Sequence, residues 1–194
     1  MNIIKSIEES ISTKQLFIKD INNIELIKKA ADHCISAFQN EGKVLLCGNG
    51  GSAADAQHIA AELSGRYNYD RPPLYAEALH VNSSYVTAVA NDYSYDDVYS
   101  RMIKAAGKKG DVIIGISTSG NSTNVVNALV EARKLGMITI GLTGSSGGKL
   151  EETCDICIKV PSKNTARVQE VHILIGHVIC EEIENSLFPQ LVNE

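Results

Sequence analysis

His58 and Glu62 are the first side chains whose types and spacing suggest chemistry. They stand four residues apart within residues 53–63, an alanine-rich segment that predicts a helix. At 3.6 residues per turn they project from one helix face, about 40° apart. An imidazole and a carboxylate placed in this way can bind a metal ion or share acid–base chemistry. An exposed, hydrogen-bonded pair has the same spacing, so the surrounding residues must decide between the two interpretations.

A glycine-rich turn directly precedes this helix. The apolar run at residues 44–47 predicts a short buried strand, and the sequence GNGGS at residues 48–52 follows it. Ser52 is the expected N-cap of the helix. Free N–H groups and the positive end of the helix dipole make such a turn a site for anions. A phosphate-type loop so close to His58 and Glu62 favours the chemical interpretation of that pair.

A second loop carries four hydroxyl groups within six residues. Ser117, Thr118, Ser119 and Ser122 lie where the apolar run at residues 112–117 ends and the next helix begins. Hydroxyl and backbone N–H groups can surround a phosphate dianion without a lysine. An ordinary serine-rich turn with an N-cap would account for only one or two of these hydroxyls. The loop therefore predicts a phosphate site.

Five apolar segments alternate with helical segments along the chain. The predicted strands are residues 44–47, 74–79, 112–117, 137–143 and 156–160. This alternation indicates an α/β fold whose parallel sheet is covered by helices on both faces. Ligands of such sheets bind beyond the carboxyl ends of the strands, and both loops fall there.

Residues 2–40 predict two further helices. The first has an apolar stripe that is interrupted near residues 12–14, and the second ends at residues 40–42. A first helix so separate from the α/β body is expected to pack on another subunit, which predicts an oligomer.

Length and composition narrow the class of protein. The 194 residues are expected to form one domain, 1–194, and a net charge of −5 argues against a nucleic-acid surface. No apolar run approaches the ~20 residues of a membrane span, and no signal peptide is evident, so we expect a cytoplasmic protein that binds no membrane. Cys154 and Cys157 have the C-x-x-C spacing, but they lead into a predicted strand and have no second pair, so we interpret them as structural.

Several motifs in this order resemble the SIS (sugar isomerase) family of phosphosugar-binding domains, and within it the phosphoheptose isomerases. The resemblance runs over nearly the whole chain. The motifs that carry it are residues 47–52, Asp55-Ala-x-His58, Glu62-Leu-x-Gly-Arg66, Asn91-Asp92, residues 115–122 and Gln169-Glu-x-His172.

The resemblance implies a fold, an assembly and a set of site residues. The implied fold is a three-layer αβα sandwich with a five-stranded parallel sheet, flavodoxin-like, assembled as a homotetramer with sites between subunits and residues 1–40 at the interface. One zinc ion per subunit is implied on His58, Glu62, Gln169 and His177. The implied substrate contacts are Ser117, Thr118, Ser119 and Ser122 to the phosphate, Asn49, Gly50, Gly51, Asn91 and Asp92 to the sugar, and His58, Glu62 and Gln169 at the reacting end.

The last predicted helix, residues 165–185, supports this set independently. Gln169 and His177 are eight residues apart, about 80° around the axis, so both can face one cavity. Gly176 removes a side chain beside His177, which permits a close approach. His172 is interpreted as an ordinary core histidine.

The implied activity is an aldose–ketose isomerisation of sedoheptulose 7-phosphate to D-glycero-D-manno-heptose 7-phosphate, the first step of ADP- or GDP-activated heptose biosynthesis. Such a reaction needs a base, an acid and a group that stabilises an enediolate. We expect Glu62 to be the base, His177 to be the partner acid–base and zinc to polarise the oxygens. Whether Glu62 and His177 are metal ligands, acid–base groups or both stays open.

Two alternatives compete with this interpretation. A non-catalytic SIS protein that binds a partner, like the replication-initiator-associating relatives, would share the fold but lose parts of the His/Glu/Gln/His set, which this chain retains. A dinucleotide enzyme would use Gly48-x-Gly50-x-x-Ala53, but the expected acidic residue after the next strand is missing. The chain also departs from the family pattern, with alanine at positions 53, 54 and 166.

Overall fold

The computed structural model describes residues 2–190, so Met1 and residues 191–194 of the predicted domain lie outside it. The strands are β1 (Val44–Gly48), β2 (Ala76–Ala78), β3 (Val112–Ser117), β4 (Ile138–Thr143) and β5 (Ile156–Lys159). The helices are α1 (Asn2–Lys19), α2 (Ile21–Gln39), α3 (Gly51–Ser64), α4 (Ser83–Asp92), α5 (Val98–Ala106), α6 (Thr123–Lys134), α7 (Gly148–Thr153) and α8 (Thr165–Leu187), and a 3₁₀ turn at Tyr95–Asp97 precedes α5.

The five strands form one parallel sheet in the order β2-β1-β3-β4-β5. β1 and β3 lie in the middle and are buried along their whole length. Such continuous apolar runs are typical of strands covered on both faces. The predicted five-stranded parallel sheet is confirmed.

Two hydrophobic cores lie on opposite faces of the sheet. In β1, Val44 and Leu46 face the core beneath α1, α2, α3 and α8, whereas Leu45 and Cys47 face the core beneath α4, α5, α6 and α7. The alternation follows from the two-residue period of a strand. The three layers make the αβα sandwich that the resemblance implied.

Some predicted boundaries were wrong. Helix α3 begins at Gly51 rather than residue 53, and its N-cap is Gly50 rather than Ser52. Gly50 has φ of +57°, a left-handed conformation that favours glycine and turns the chain into the helix two residues early. Strand β2 is shorter than residues 74–79 because the N–H of Leu74 donates to the carbonyl of Leu63 on α3 at 3.1 Å and a turn begins at Leu79.

Helix α1 runs without a break through residues 12–14, where its apolar stripe is interrupted. Thr13 is buried there, and its hydroxyl donates to the carbonyl of Glu9 at 2.8 Å, so it satisfies its own polar group within the helix. Ile3, Ile7 and Ile11 are half or more exposed, whereas Phe17 is buried. Most of the α1 stripe therefore has no cover from the described part of this chain.

All five cysteines lie in the described part of the chain and are free thiols. Cys34, Cys47 and Cys180 are buried, as expected for small core residues. Cys154 donates to the carbonyl of Leu150 at 2.9 Å in the corner between α7 and β5, in keeping with a structural role. Among the helices of residues 2–190, none is both long enough and apolar enough to cross a bilayer.

Candidate active site

The two predicted ligand loops lie side by side at the carboxyl edge of the sheet. β1 and β3 are neighbours, and Gly48 at the end of β1 is in register with Ile116 near the end of β3. Residues 48–51, which we call the sugar loop after their predicted ligand, therefore begin beside residues 117–122, which we call the phosphate loop for the same reason. Each loop leads directly into the N-terminus of a helix, α3 or α6.

The phosphate loop gathers its hydroxyl groups into a cluster. The Oγ atom of Ser117 lies 2.9 Å from Oγ of Ser122 and 3.5 Å from Oγ of Ser119. Ser122 is the N-cap residue of α6, but its side chain caps none of the described N–H groups of that helix. The hydroxyl cluster and the open helix end together offer hydrogen-bond donors to one anion. Thr118 lies within the loop and is half-buried.

A neighbouring loop fixes the shape of the phosphate loop. Gly120 has φ of +69°, and a Cβ atom there would overlap with the carbonyl of Gly147. The N–H of Gly144 donates to the carbonyl of Thr118 at 3.1 Å, and the N–H of Leu150 donates to the carbonyl of Gly120 at 3.0 Å. These contacts fix the backbone of the phosphate loop, so the serine hydroxyls are pre-organised without a ligand.

The sugar loop needs glycine because its neighbours leave no room for a side chain at two positions. A Cβ atom on Gly48 would lie 2.5 Å from the carbonyl oxygen of Ser52, and one on Gly51 would lie 2.5 Å from Nε2 of Gln169. Gln169, at the start of α8, is thus packed against the first residue of α3. Gly50 and Gly51 are exposed and leave their backbone accessible.

The predicted His/Glu pair joins a third residue from the other end of the chain. Nε2 of His58 lies 3.0 Å from Oε1 of Glu62, and the rings of His58 and His177 meet edge to face with centroids 5.0 Å apart. Each of the three residues offers one ligand atom, and these atoms lie within 4.8 Å of one another. The side chains of His58 and Glu62 are 49% and 24% exposed, so the cluster is accessible.

Gly176 explains why α3 and α8 come close enough for this contact. A Cβ atom at Gly176 would overlap with Cδ1 of Ile59, which is the residue next to His58. The expectation that Gly176 permits a close approach is therefore confirmed. Gln169 lies two turns before His177 on α8, and its side chain packs against Gly51 of the sugar loop.

Asn91 and Asp92 are the last two residues of α4, and both are exposed. The side chain of Asn91 donates to Oδ1 of Asp92 at 2.9 Å. The pair precedes Tyr95 by three and four residues, and the Tyr95 hydroxyl donates to Oδ1 of Asn49 at 3.2 Å.

A buried ion pair that sequence reasoning missed anchors the C-terminal end of α3. Nε of Arg71 lies 3.0 Å from Oε2 of Glu184, and both side chains are almost fully buried. Arg71 also donates to the carbonyls of Glu62 and Leu63, each at 2.8 Å. The ion pair therefore fixes the turn of α3 that carries Glu62. Arg71 and Glu184 are 113 residues apart, so no local sequence pattern indicates their contact.

The same carboxylate holds the segment that borders His177. Glu184 accepts from the N–H groups of Tyr67 at 3.0 Å and Asn68 at 2.7 Å. Burial alone would raise the pKa of Glu184, but these bonds and Arg71 outweigh it and hold that pKa below its ordinary value. The Tyr67 ring lies 5.9 Å from the ring of His177, so it forms a wall of the site.

His172 is a core residue, as expected. It is fully buried, and its Nε2 atom lies 3.2 Å from the carbonyl oxygen of Thr143. Burial lowers the pKa of His172 to about 4, only partly opposed by that bond, so the ring is neutral at physiological pH.

Asp55, on the same helix as His58, is half-buried, and burial raises its pKa despite the opposing effect of His58.

Comparison with known proteins gives the class of protein first. The SIS domain family matches residues 12–144, a stretch that contains both loops and the His58–Glu62 pair. The chain belongs to the SIS domain family.

Its relatives place it more narrowly among the phosphoheptose isomerases. It is 50% identical over 182 residues to the phosphoheptose isomerase of Aneurinibacillus thermoaerophilus, covering 94% of this chain and 92% of that one. It is 53% identical over 180 residues to phosphoheptose isomerase 2 of Campylobacter jejuni, covering 93% and 90%. The structure of phosphoheptose isomerase GmhA from Neisseria gonorrhoeae is similar, with a TM-score of 0.89, 43% identity and coverage of 95% and 97%. The chain is thus a sugar-phosphate isomerase, and a non-catalytic SIS protein is not favoured.

Proposed function

We propose that this enzyme converts sedoheptulose 7-phosphate to D-glycero-D-manno-heptose 7-phosphate. The observation that carries the proposal is the cluster of His58, Glu62 and His177. His58 and Glu62 lie on α3, which starts at the sugar loop, and His177 lies on the neighbouring helix α8. Its relatives carry the name phosphoheptose isomerase. The product would enter the biosynthesis of ADP- or GDP-activated heptose for a surface glycan such as lipopolysaccharide or capsule.

The two loops divide the substrate between them. The hydroxyls of Ser117, Thr118, Ser119 and Ser122 would bind the phosphate together with the N-terminus of α6. The sugar chain would be contacted by Asn49, Gly50, Gly51, Asn91 and Asp92, and its reacting end by His58, Glu62 and Gln169. Anchoring the phosphate would align the reacting carbons with the cluster, which lowers the entropic part of the barrier.

Glu62 and His177 would carry out the proton transfers. Glu62 removes the proton from C1, next to the C2 carbonyl, and returns a proton to C2 of the enediol. His177 moves the second proton between the oxygens on C1 and C2. Both transfers need groups within hydrogen-bond reach of adjacent carbons, and the edge-to-face contact with His58 keeps His177 on the Glu62 side of α8.

The cluster also fits a divalent ion. Ligand atoms about 2.1 Å from a tetrahedral zinc ion lie roughly 3.4 Å from one another, and the three atoms here lie within 4.8 Å of one another, so small side-chain rotations would bring them to one ion. We propose that His58, Glu62 and His177 hold zinc, with Gln169 as fourth ligand. The bound ion would polarise the C1 and C2 oxygens. Oε1 of Glu62 faces His58, so its second oxygen can serve as the base.

We propose that the enzyme is a homotetramer with the N-terminal helices at the interface, and the exposed apolar face of α1 supports such an interface. Ile3, Ile7 and Ile11 would be covered by a second copy of the chain, and each copy would form one SIS domain over residues 1–194. We further propose that the enzyme works in the cytoplasm, where sugar phosphates are made, and that it needs neither nucleic acid nor a membrane as partner.

A substrate panel tests the proposal. Purified enzyme, with zinc supplied, is mixed with phosphorylated ketoses of five to seven carbons, and the products are identified by nuclear magnetic resonance. We expect an aldose from sedoheptulose 7-phosphate at the highest kcat/KM. Glu62→Gln tests the site, and Glu152→Gln, an exposed carboxylate on α7, is the matched control. An absence of aldose with wild-type enzyme would favour the partner-binding alternative.

A further inference from the structure

Two asparagine side chains tie the sugar loop to the first turn of α6. Nδ2 of Asn49 donates to Oδ1 of Asn124 at 2.9 Å, and Nδ2 of Asn124 donates to Oδ1 of Asn49, also at 2.9 Å. Asn124 is buried, with 3% of its surface exposed, whereas Asn49 is only partly buried. The closed amide pair therefore has one fixed member and one member at the edge of the site.

A backbone group determines how the Asn124 amide is oriented. The N–H of Val125 donates to Oδ1 of Asn124 at 2.9 Å, and a backbone N–H can only donate. The oxygen of Asn124 must therefore point toward Val125. With a second bond from Asn49, both of its lone pairs are in use. The NH₂ group of Asn124 is consequently the part that faces the oxygen of Asn49.

The orientation of Asn124 in turn fixes that of Asn49. Oδ1 of Asn49 accepts from Asn124 and from the Tyr95 hydroxyl at 3.2 Å, so its two lone pairs are occupied. One of its two Nδ2 hydrogens is used by Asn124. The Asn49 side chain therefore has one hydrogen-bonding group left, the second N–H of Nδ2, and it can only donate.

We propose that Asn124 and Tyr95 are positioning residues that make Asn49 a hydrogen-bond donor to an oxygen of the sugar chain. The inference rests on the proposed function, since it assigns a polarity to that same site. A hydroxyl or carbonyl oxygen of the ketose phosphate accepts this bond, whereas a protonated amino group, which has no lone pair, does not. The pair also couples the sugar loop to the helix that begins at the phosphate loop.

Asn124→Asp is the most direct test because it preserves the shape of the side chain, replaces the NH₂ donor with an acceptor oxygen and adds one negative charge. One carboxylate oxygen still accepts from Val125, but the other then faces Oδ1 of Asn49, and the pair cannot close in either orientation of Asn49. We expect the Kd for sedoheptulose 7-phosphate to rise about tenfold, the effect of one lost hydrogen bond. The Kd for inorganic phosphate should rise by less than the Kd for sedoheptulose 7-phosphate, because the added charge in the first turn of α6 weakens the binding of any anion there, whereas only the sugar loses the bond to Asn49. Asn22→Asp, which adds the same charge at an exposed position on α2, should change neither value.

Tyr95→Phe is a second variant that keeps the test decisive if Asn124→Asp does not fold. It removes only one partner of Asn49, from an exposed side chain, and should raise the sugar-phosphate Kd several-fold with phosphate binding retained. Equal sugar-phosphate affinity in wild type, Asn124→Asp and Tyr95→Phe would overturn the inference.

Side-chain amide spectra separate this inference from the proposed function. In the wild type, one Nδ2 proton of Asn49 should exchange slowly with water and the other rapidly, and Asn124→Asp should make both rapid. Two rapid protons in the wild type would overturn the inference whatever the substrate is. If the wild type binds no heptulose phosphate but shows the slow proton, the proposed substrate fails and the orientation of Asn49 stands.

Discussion

The imidazole rings of His58 and His177 meet edge to face, with centroids 5.0 Å apart and planes inclined by 82°. One ring belongs to α3 and the other to α8, so their contact depends on how closely these helices pack. Gly176 on α8 faces Ile59 on α3 and leaves room for that packing. The distance between the two helices thus determines whether the cluster of His58, Glu62 and His177 forms.

Gly176→Ala should separate the two helices and weaken the cluster. The added methyl group overlaps with Ile59, and overpacking of this kind costs about 1–3 kcal/mol in unfolding free energy. We expect a lower Tm, a lower kcat and weaker metal binding. Adding Ile59→Ala should relieve the overlap and recover part of the kcat. A single Gly176→Ala variant with wild-type metal affinity would show that the helix spacing is not limiting.

Glu62→Gln should nearly abolish turnover while leaving phosphate binding intact. The amide retains the size of the side chain but cannot take a proton, and loss of a general base typically lowers kcat by about 10²–10⁴-fold. Steady-state kinetics check the loss of turnover, and calorimetric titration of the same protein with inorganic phosphate checks that phosphate binding is retained. Wild-type kcat in Glu62→Gln would refute Glu62 as the base.

Removing the hydroxyls of Ser119 and Ser122 together should raise KM for the sugar phosphate by about tenfold or more. Ser122 bonds to Ser117 within the cluster, so the double alanine variant removes two of the polar groups that we propose bind the phosphate. Ser64→Ala, at the exposed end of α3, is the matched control. An unchanged KM in the double variant would contradict the phosphate site.

Metal analysis of the purified protein should find about one divalent ion per chain, and His177→Ala or His58→Ala should lower that content strongly. His33→Ala, an exposed histidine on α2, should retain the ion. Chelation should reduce kcat, and added zinc should restore it. Full activity in enzyme shown to be free of metal would remove the ion from the proposed mechanism.

Breaking the Arg71–Glu184 pair should destabilise the fold by about 3–5 kcal/mol, because Arg71→Met leaves a buried charge without its partner. Glu184 has a pKa below its ordinary 4.5 in the folded state, so its contribution is fully present above that value. The contribution is lost as pH falls through the folded pKa. Urea unfolding from pH 7 to pH 3 should show a steeper loss of stability in wild type than in Glu184→Gln. Parallel pH profiles would contradict the role of this carboxylate.

Local sequence pattern determined the fold and half of the site. Strand β3 was predicted with its observed bounds, Val112–Ser117, because an apolar run between polar segments needs no distant information to identify it. His58 and Glu62 could be paired because the helix repeat alone brings residues four apart to one face. The N-cap at Ser52 was wrong because Gly50 adopts a left-handed conformation that the pattern does not encode.

Tertiary structure decided everything that joins distant segments. The contact of His58 with His177 depends on the spacing that Gly176 allows, and the turn that carries Glu62 depends on Arg71, which in turn needs Glu184. These partners lie on different elements, so no periodicity relates them. Helix and strand signals are short-range because they arise from backbone geometry, whereas a site assembled from α3 and α8 exists only once packing has fixed the distances between them.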